Sequence, residues 1–313
     1  MPLKDKLLTE LETHRDTALS GQALADRFAV SRTAVWKAVN ELKAQGYTIE
    51  STPNRGYRLA TGDDHLSASA ISRFLEIPIP VYVMDTVDSV LNEAKRRYAD
   101  SSGEPFLVVS DSQTTGRGRR GRPFYSPKGA GIYLALAMPM RFTMREAPTI
   151  TAYAAVCVCK AIEALAGKQG RIKWVNDVFL DGKKICGILT EASTSLESGV
   201  IEAVFIGIGI NVNPCEVPEA LRDVIGFVNP GKPIRNQLAA EITNSLFQFT
   251  QNQPTFLDDY RARSLSIGSR VRCTVGNKTF LATGTGIDSM GGLIVQTDKG
   301  ETRTLHSGEA KLI

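Results

Sequence analysis

Gln113-Thr-Thr-Gly-Arg-Gly-Arg-Arg-Gly-Arg122 is the stretch on which the reading of the fold turns. Three glycines (Gly116, Gly118, Gly121) are interleaved with four arginines (Arg117, Arg119, Arg120, Arg122). Glycine lets the backbone approach a ligand closely, and arginine brings fixed charge and forked donors. The combination suits a small anion, phosphate first. Gly116-x-Gly118-x-x-Gly121 follows the apolar run Phe106–Ser110 and so matches the dinucleotide fingerprint. That fingerprint requires a helix to begin at the loop, with its N-terminus facing a pyrophosphate. Pro123 and Pro127 follow at once and break any such helix. A doubly wound dinucleotide fold is therefore set aside. A solvated arginine-rich loop that touches nucleic acid remains the plain alternative, and the rest of the chain has to decide.

Outward from the loop, strand-like runs occur at Val81–Met84, Phe106–Val109, Gly131–Leu136, Ile185–Thr190 and Glu202–Ile210, and helical spacing at Leu91–Ala99, Ala147–Leu165 and Asn236–Thr250. Strands succeed one another between a few long helices without βαβ alternation, which predicts an α+β layer with one mixed or antiparallel sheet. Three segments here carry chemistry. Lys173-Trp-Val-Asn-Asp177 gathers a cation, an indole and an amide–carboxylate pair; Lys183 and Lys184 enter a strand that Gly187 thins. In Gly207-Ile-Gly-Ile-Asn-Val-Asn213, glycines replace side chains on a strand, as where a ligand lies against it. Asp88-Ser89 opens a helix, so Ser89 is either an N-cap or a site donor.

The first sixty residues are of another kind. Leu7, Leu8 and Leu11 recur at helical spacing. A second helix opens at the capping Ser20, and a third runs from Arg32 to Gln45 with Ser31 as its cap, Val35, Val39 and Leu42 inward, and Gly46 as its stop. Helix, short turn and capped helix make a helix-turn-helix, whose Ser31, Arg32, Thr33 and Lys37 would face a major groove. Two short strands around Pro53-Asn54-Arg55-Gly56 predict a wing, with Arg55 reaching the nucleic acid. A packing domain that never meets DNA is the alternative. Thr61–His65 reads as a linker.

With 313 residues, the chain has room for two or three domains: 1–65, 66–265 and 266–313. The net charge of +4 permits an anionic partner without demanding one. No apolar run is expected to approach the ~20 residues of a membrane helix. The amino-terminal residues lack a signal core, so a cytoplasmic protein is expected. Five cysteines (Cys157, Cys159, Cys186, Cys215, Cys273) without Cys-x-x-Cys spacing, and three scattered histidines, speak against a zinc site or a disulfide framework. Cys157 and Cys159 suit buried packing. From Ser266 onward, short alternating strands broken by Gly and Asp turns predict a small SH3-like β-barrel.

Taken together, the arginine–glycine loop, Lys173–Asp177, Lys183–Glu191 and Gly207–Asn213 resemble biotin–protein ligases. With the winged helix in front, the chain looks like the bifunctional ligases that also repress biotin operons, and the resemblance covers essentially its full length. It implies a central domain of the class II synthetase-like kind. It implies that biotin and MgATP form biotinyl-5′-adenylate, and that biotin then passes to a lysine of a biotin carboxyl carrier protein. Arg117, Arg119 and Lys184 are then the catalytic cations. Ser89, Gln113, Gly116, Gly187, Gly207 and Gly209 would line the biotin site with Arg117 and Lys184. Arg119, Arg120, Arg122, Trp174, Asn176, Asn211 and Phe227 would bind ATP or adenylate, and Asn176 with Asp177 would hold Mg2+. His306-Ser-Gly-Glu309 matches the family's closing motif and reads as a structural turn near the active site.

Residues 214–235, rich in Pro, Gly and Asn, are expected as a mobile loop over the adenylate. Its ordering would favour a homodimer that presents two winged helices to operator DNA. Two departures stand out. Where the family has Asp-Ser-Thr-Asn, this chain has Asp88-Ser89-Val90-Leu91, with Asn92 one step late; the usual tryptophan after the loop is Phe124. Two alternatives stay open: a ligand-sensing repressor on a decayed ligase domain, and a lipoate or octanoate ligase, whose linear chain needs no ureido donors.

Overall fold

The serine caps fall where the sequence places them. In the computed structural model, which describes residues 2–15, 17–52, 55–101, 103–139, 147–194, 201–251 and 256–313, α1 (Leu3–Thr13) is followed by α2 (Gly21–Phe28) and α3 (Arg32–Ala44). Ser20 Oγ accepts from the Ala23 amide and Ser31 Oγ from the Ala34 amide, so each hydroxyl satisfies one unpaired donor of a first turn. Leu7, Leu11, Leu24, Val35, Val39 and Leu42 meet in one buried core. The wing is β1 (Ile49–Thr52) paired antiparallel with β2 (Gly56–Leu59). Gly56 has φ +102°, and a Cβ there would run into the Leu19 backbone, which pairs with Tyr57. Pro53 and Asn54, at the expected wing tip, lie outside the described residues.

The chain divides into two compact units, residues 1–74 with 231–237, and residues 75–230 with 238–313. The first unit thus runs beyond the expected boundary at residue 65. The stretch read as a linker is part of it: Asp63 is buried, its carboxylate accepting from the Thr48 and His65 amides. The short helix α4 (Ala68–Ser72) then packs on α1. Turn-forming residues looked like a spacer because their hydrogen bonds go to distant backbone, which spacing along the chain cannot reveal.

The second unit is built on a seven-stranded sheet of order β3-β4-β5-β9-β8-β7-β6. Its strands are β3 (Val81–Met84), β4 (Phe106–Ser110), β5 (Gly131–Pro139), β6 (Arg171–Lys173), β7 (Asp177–Leu180), β8 (Lys183–Thr194) and β9 (Ile201–Asn211). Only β3 and β4 run parallel among these pairings, so the sheet is mixed, as expected. Helix α5 (Val90–Ala99) packs on β4, β5 and β9 through Val90, Leu91 and Ala94, against Tyr133, Ala135 and Phe205. Helix α6 (Ala147–Ala166) lies on the other face, with Thr151 Oγ1 donating to Thr190 Oγ1. Contrary to the sequence expectation, α6 is long and apolar enough to cross a membrane: Thr149–Ala166 has a mean hydropathy of 1.5. However, 67% of that stretch is buried within the protein, and a helix enclosed by a domain is apolar all round.

The remaining elements are α7 (Arg235–Gln251), α8 (Leu257–Arg263) and β10 (Arg270–Val275), β11 (Lys278–Ile287), β12 (Leu293–Thr297), β13 (Thr302–Leu305) and β14 (Glu309–Leu312). The last five strands form an antiparallel sheet of order β13-β12-β11-β10-β14, which is the carboxy-terminal β-module expected from the alternating runs.

All five cysteines are free, and Cys157, Cys159, Cys186 and Cys273 are buried. Burial pushes the Cys157 and Cys159 thiols up to about 12 and Cys186 well above its ordinary range, so none is a ready nucleophile. Cys215 is half-buried. Iodoacetamide is expected to modify Cys215 first in the native protein and the four buried thiols only after unfolding, as read by intact mass; equal labelling of Cys186 would contradict the packing.

Candidate active site

Two cross-strand glycines set the position of the cavity. Gly187 on β8 pairs with Gly209 on β9, and Leu189 pairs with Gly207, which leaves a shallow trough on one face of the sheet. A cavity of about 180 Å³ opens beside it, lined by Ser89, Gln113, Arg117, Arg119, Arg120, Arg122, Trp174, Asn176, Asp177 and Lys184, together with the three glycines Gly187, Gly207 and Gly209. The loop, the Lys173–Asp177 turn and the glycine strand thus converge on one place.

The trough is not empty space kept for a ligand. A Cβ on Gly207 would lie 2.6 Å from Leu91 Cγ, and one on Gly209 would lie 2.5 Å from Phe124 Cε1. Leu91 and Phe124, the residues that depart from the family pattern, fill the volume these glycines free. Gly207 and Gly209 still line the cavity, and the space directly above them is taken by these two side chains. This filling also explains a cavity smaller than the ~300 Å³ at which ligand pockets usually begin. Gly116 is likewise enclosed: a Cβ there would lie 2.7 Å from Ser126 Oγ and 2.8 Å from the Phe124 carbonyl.

Ser89 makes no capping bond. The Val90 amide donates instead to Gln113 Oε1 at 2.9 Å, and Gln113 Nε2 donates to Ser126 Oγ at 3.0 Å. The capping work expected of Ser89 is done by Gln113, whose amide is engaged with the protein at both ends. Ser89 is one of the polar residues that line the cavity.

The four arginines are not equivalent. Arg122 makes a bidentate pair with Glu309, both bonds 2.7 Å, which ties the loop to β14. Arg120, in the left-handed region at φ 58°, stands 3.7 Å from the same carboxylate. Arg117 Nη2 donates to Asn92 Oδ1 at 2.9 Å and lies 3.3 Å from Glu191. Arg119 reaches only Asn176 Oδ1, at 3.4 Å, and among the described residues no carboxylate lies within ion-pairing distance of it. Burial, then the neighbouring Arg120 charge, lowers its pKa, yet a guanidinium stays protonated at any working pH. It is a desolvated cation without a counterion, which an anionic ligand would supply.

Lys184 Nζ lies 2.7 Å from Asp177 Oδ1 and 5.8 Å from the Phe124 ring centre. Asp177 Oδ1 is shielded from solvent yet makes no well-formed hydrogen bond, so this oxygen has capacity for another cation. Magnesium in nucleotide sites takes one or two carboxylates together with phosphate oxygens. Asp177 fits that requirement. Asn176 does not, because its Oδ1 faces Arg119 and its Nδ2 donates to the Ile188 carbonyl at 2.9 Å. Among the described residues no three His, Cys, Asp or Glu side chains cluster for a metal held by protein alone.

Trp174 lines the cavity but is tied into the fold, and two other expected ligands stand apart. Trp174 is buried, with Nε1 donating to the Gly291 carbonyl at 3.0 Å, so one edge of the ring is fixed to the β-module. Asn211 supports the Lys184 carbonyl from 3.4 Å and does not line the cavity; Phe227 lines a separate cavity with Pro214, Cys215 and Arg222. The segment 214–230 is held by backbone bonds rather than hanging free. The Lys184 amide donates to Val224 O, Gly226 N to Lys184 O, Val228 N to Asn211 O and Asn229 N to Val212 O, all at 2.7–2.9 Å. Lys183, read as a solvated neighbour, donates to the Arg222 carbonyl at 2.7 Å. Pro and Gly content announced a loop; it did not reveal that the loop pairs with the edge of β8.

Lys173 and Glu309 also line the cavity and were not singled out as ligands. Burial lowers the Lys173 pKa. The Arg122 hydrogen bond holds Glu309 below its ordinary 4.5. A depressed carboxylate pKa means that the Glu309 contribution is fully present above 4.5 and fades as the pH falls through the folded value. The pair is partly exposed and worth at most about 1 kcal/mol. Glu309→Gln is therefore expected to raise KM for ATP by up to about fivefold, and to melt below wild type at pH 7 by a margin that shrinks as the pH falls below 4.5. A pH-independent difference in melting would remove the ion pair as the cause.

In the amino-terminal unit, Ser31, Arg32, Thr33, Lys37 and Arg55 are all exposed. Arg32 and Thr33 line a groove between α3 and the wing, whereas Ser31, Lys37 and Arg55 do not.

Three stretches of the chain are matched by family models: an HTH domain over residues 4–58, the Biotin/lipoate A/B protein ligase family over 86–211, and the Biotin protein ligase C terminal domain over 266–312. A bifunctional ligase/repressor BirA from Bacillus spizizenii is 34% identical over 307 residues, covering 94% of either chain. The chain belongs to the bifunctional biotin–protein ligase and repressor family. BirA from Escherichia coli is 28% identical over 288 residues, 89% of this ligase and 88% of that one. A biotin protein ligase from Aquifex aeolicus, solved in complex with biotin and ATP, has a TM-score of 0.60 and 26% identity, covering 75% of this chain and 98% of its own.

Proposed function

We propose that this protein condenses biotin with ATP to biotinyl-5′-adenylate, passes biotin to a lysine of a carboxyl carrier protein, and represses transcription when loaded with the adenylate. The observation that carries the enzymatic part is the cationic end of the cavity: Arg119 without a counterion beside the Lys184–Asp177 pair.

In the first step a biotin carboxylate oxygen attacks the α-phosphorus, the α–β bridging P–O bond breaks and pyrophosphate leaves. Both reactants are anions, so the barrier is largely electrostatic, and preorganised cations lower it most in a water-poor site. Arg119 and Lys184 are the groups that meet the α-phosphate as its charge builds. Mg2+ would be held by Asp177 and would neutralise phosphate charge. Arg117, drawn toward Asn92 and Glu191, serves the carboxylate side, and Ser89 supplies a polar group in the cavity wall. In the second step the carrier amine attacks the acyl carbon, AMP leaves and the amine sheds its proton, for which Asp177 in the cavity wall is the candidate base. Radiolabelled biotin, MgATP and a carrier domain test the reading, and the expected result is label in the carrier. Label-free carrier with adenylate retained would leave a sensor with a decayed second step. The lipoyl alternative rests on Val90 and Leu91 alone. Calorimetry with biotin and with lipoate, each beside a non-hydrolysable ATP analogue, is expected to favour biotin.

For regulation, ordering of residues 214–235 on adenylate binding favours a homodimer, which brings two winged helices to a palindromic operator. Sedimentation with and without biotin and ATP checks it: the dimer is expected only with both.

A further inference from the structure

Trp36 is 55% exposed on α3, whereas the chain's other tryptophan, Trp174, is 3% exposed. A single exposed apolar side chain is ordinary on a surface, so what singles Trp36 out is its place in a groove among polar and basic residues. At 100° per residue, Arg32, Trp36, Asn40 and Lys43 share one stripe of α3, with Thr33 at its margin and Lys37 a further 100° round from Trp36. The stripe faces the groove toward the wing, where Lys43 Nζ donates to Ser51 Oγ at 2.9 Å. Among the described residues no carboxylate lines this groove, and Glu50 of β1 pairs with Arg58. Positive charge without acid, amide and hydroxyl groups at mid-groove and one large apolar plate do not describe a protein-binding patch with its apolar core. They match the floor of a DNA major groove, where donors, acceptors and thymine methyl groups alternate.

Building on the repressor reading, we propose that Trp36 is a sequence-reading residue of the winged helix, packing its indole against a thymine methyl group in the major groove while Arg32 and Asn40 address neighbouring base edges. The groove-facing stripe, and not Lys37, is the reading surface. Trp36 carries no charge, so its contribution is to sequence choice and not to the salt-dependent affinity that phosphate contacts give.

The test uses the full chain with biotin and MgATP. The wild-type protein first selects duplexes from a randomised pool. Binding of wild type, Trp36→Ala and Trp36→Phe to a selected and an unselected duplex is then followed by fluorescence anisotropy at several salt concentrations. Trp36→Ala is expected to weaken the selected duplex about tenfold or more, on the scale of one lost base contact. It should change the unselected duplex little, keep the salt slope, and leave biotinylation and melting temperature as in wild type. Replacing thymine by uracil, which removes only the methyl group, should weaken wild type at one position per half-site and have no effect there on Trp36→Ala. Equal uracil sensitivity in both proteins overturns the proposal, as does equal loss on the selected and unselected duplexes. A change in self-association of DNA-free Trp36→Ala overturns it in favour of a protein contact. If the wild type selects no duplex at all, the repressor reading itself falls.

Discussion

Arg119→Ala is expected to slow biotinyl-adenylate formation by about two to three decades, the loss seen when one oxyanion donor is removed. The structure gives the reason for choosing this arginine. Arg122 is saturated by Glu309, Arg120 leans on the same carboxylate, and Arg117 is drawn to Asn92 and Glu191. Arg119 alone among the four is half-buried rather than exposed, and burial is the chief cause that lowers its pKa. Its charge therefore acts through a low effective dielectric on whatever anion enters. Biotin-dependent pyrophosphate exchange measures the step directly, and transfer from pre-formed adenylate measures the second. The expected pattern is a severe loss in exchange with transfer largely kept, and Arg122→Ala much milder than Arg119→Ala. Equal losses for the two would mean that the ion pair with Glu309 does not set their roles. Lys184→Gln should also be severe, although part of its effect would come from leaving the Asp177 carboxylate without its 2.7 Å partner.

Gly207→Ala is the second large effect expected, and its cause is testable by rescue. The added methyl would sit 2.6 and 2.7 Å from Leu91 Cγ and Cδ1, and Leu91 is buried between α5 and the sheet. Overpacking of this kind costs roughly 1–3 kcal/mol and displaces the helix that carries Ser89. The single variant should therefore melt lower and show KM for biotin raised about tenfold or more, in line with a ΔΔG near the middle of that range. Adding Leu91→Ala removes the colliding atoms, and the double variant should recover both melting temperature and KM. If melting recovers while KM stays high, the space above Gly207 belongs to the ligand after all and the assignment to Leu91 is wrong.

These two cases show where the sequence was sufficient. The mixed sheet, its long helices, the capped helix-turn-helix and the carboxy-terminal strands were readable because each rests on local signals: period, caps and breakers. Convergence of the arginine–glycine loop with Lys173–Asp177 and Gly207–Asn213 was legible through resemblance, since each segment has a distinctive composition. The identity of each arginine's partner was not legible. Glu309 lies 187 residues from Arg122, and nothing local to either announces the pair. The same holds for Gln113 capping α5 in place of Ser89, for Asn211 bracing the Lys184 carbonyl and for Phe227 facing a different cavity. The α6 helix was legible as a long helix over Ala147–Leu165; that its apolar content reaches the range of a membrane span was not, because its alanines and cysteines read as packing residues.

The order of elements and the chemical inventory of the site were thus determined by sequence alone, since propensity, capping and residue type are properties of short stretches. The tertiary structure decided which cation is left without a counterion, and which side chains pack over the glycines of the strand. Both depend on which atoms share a low-dielectric space after folding, and a glycine or an arginine carries the same local signature whether its neighbour is a ligand, a leucine or a glutamate.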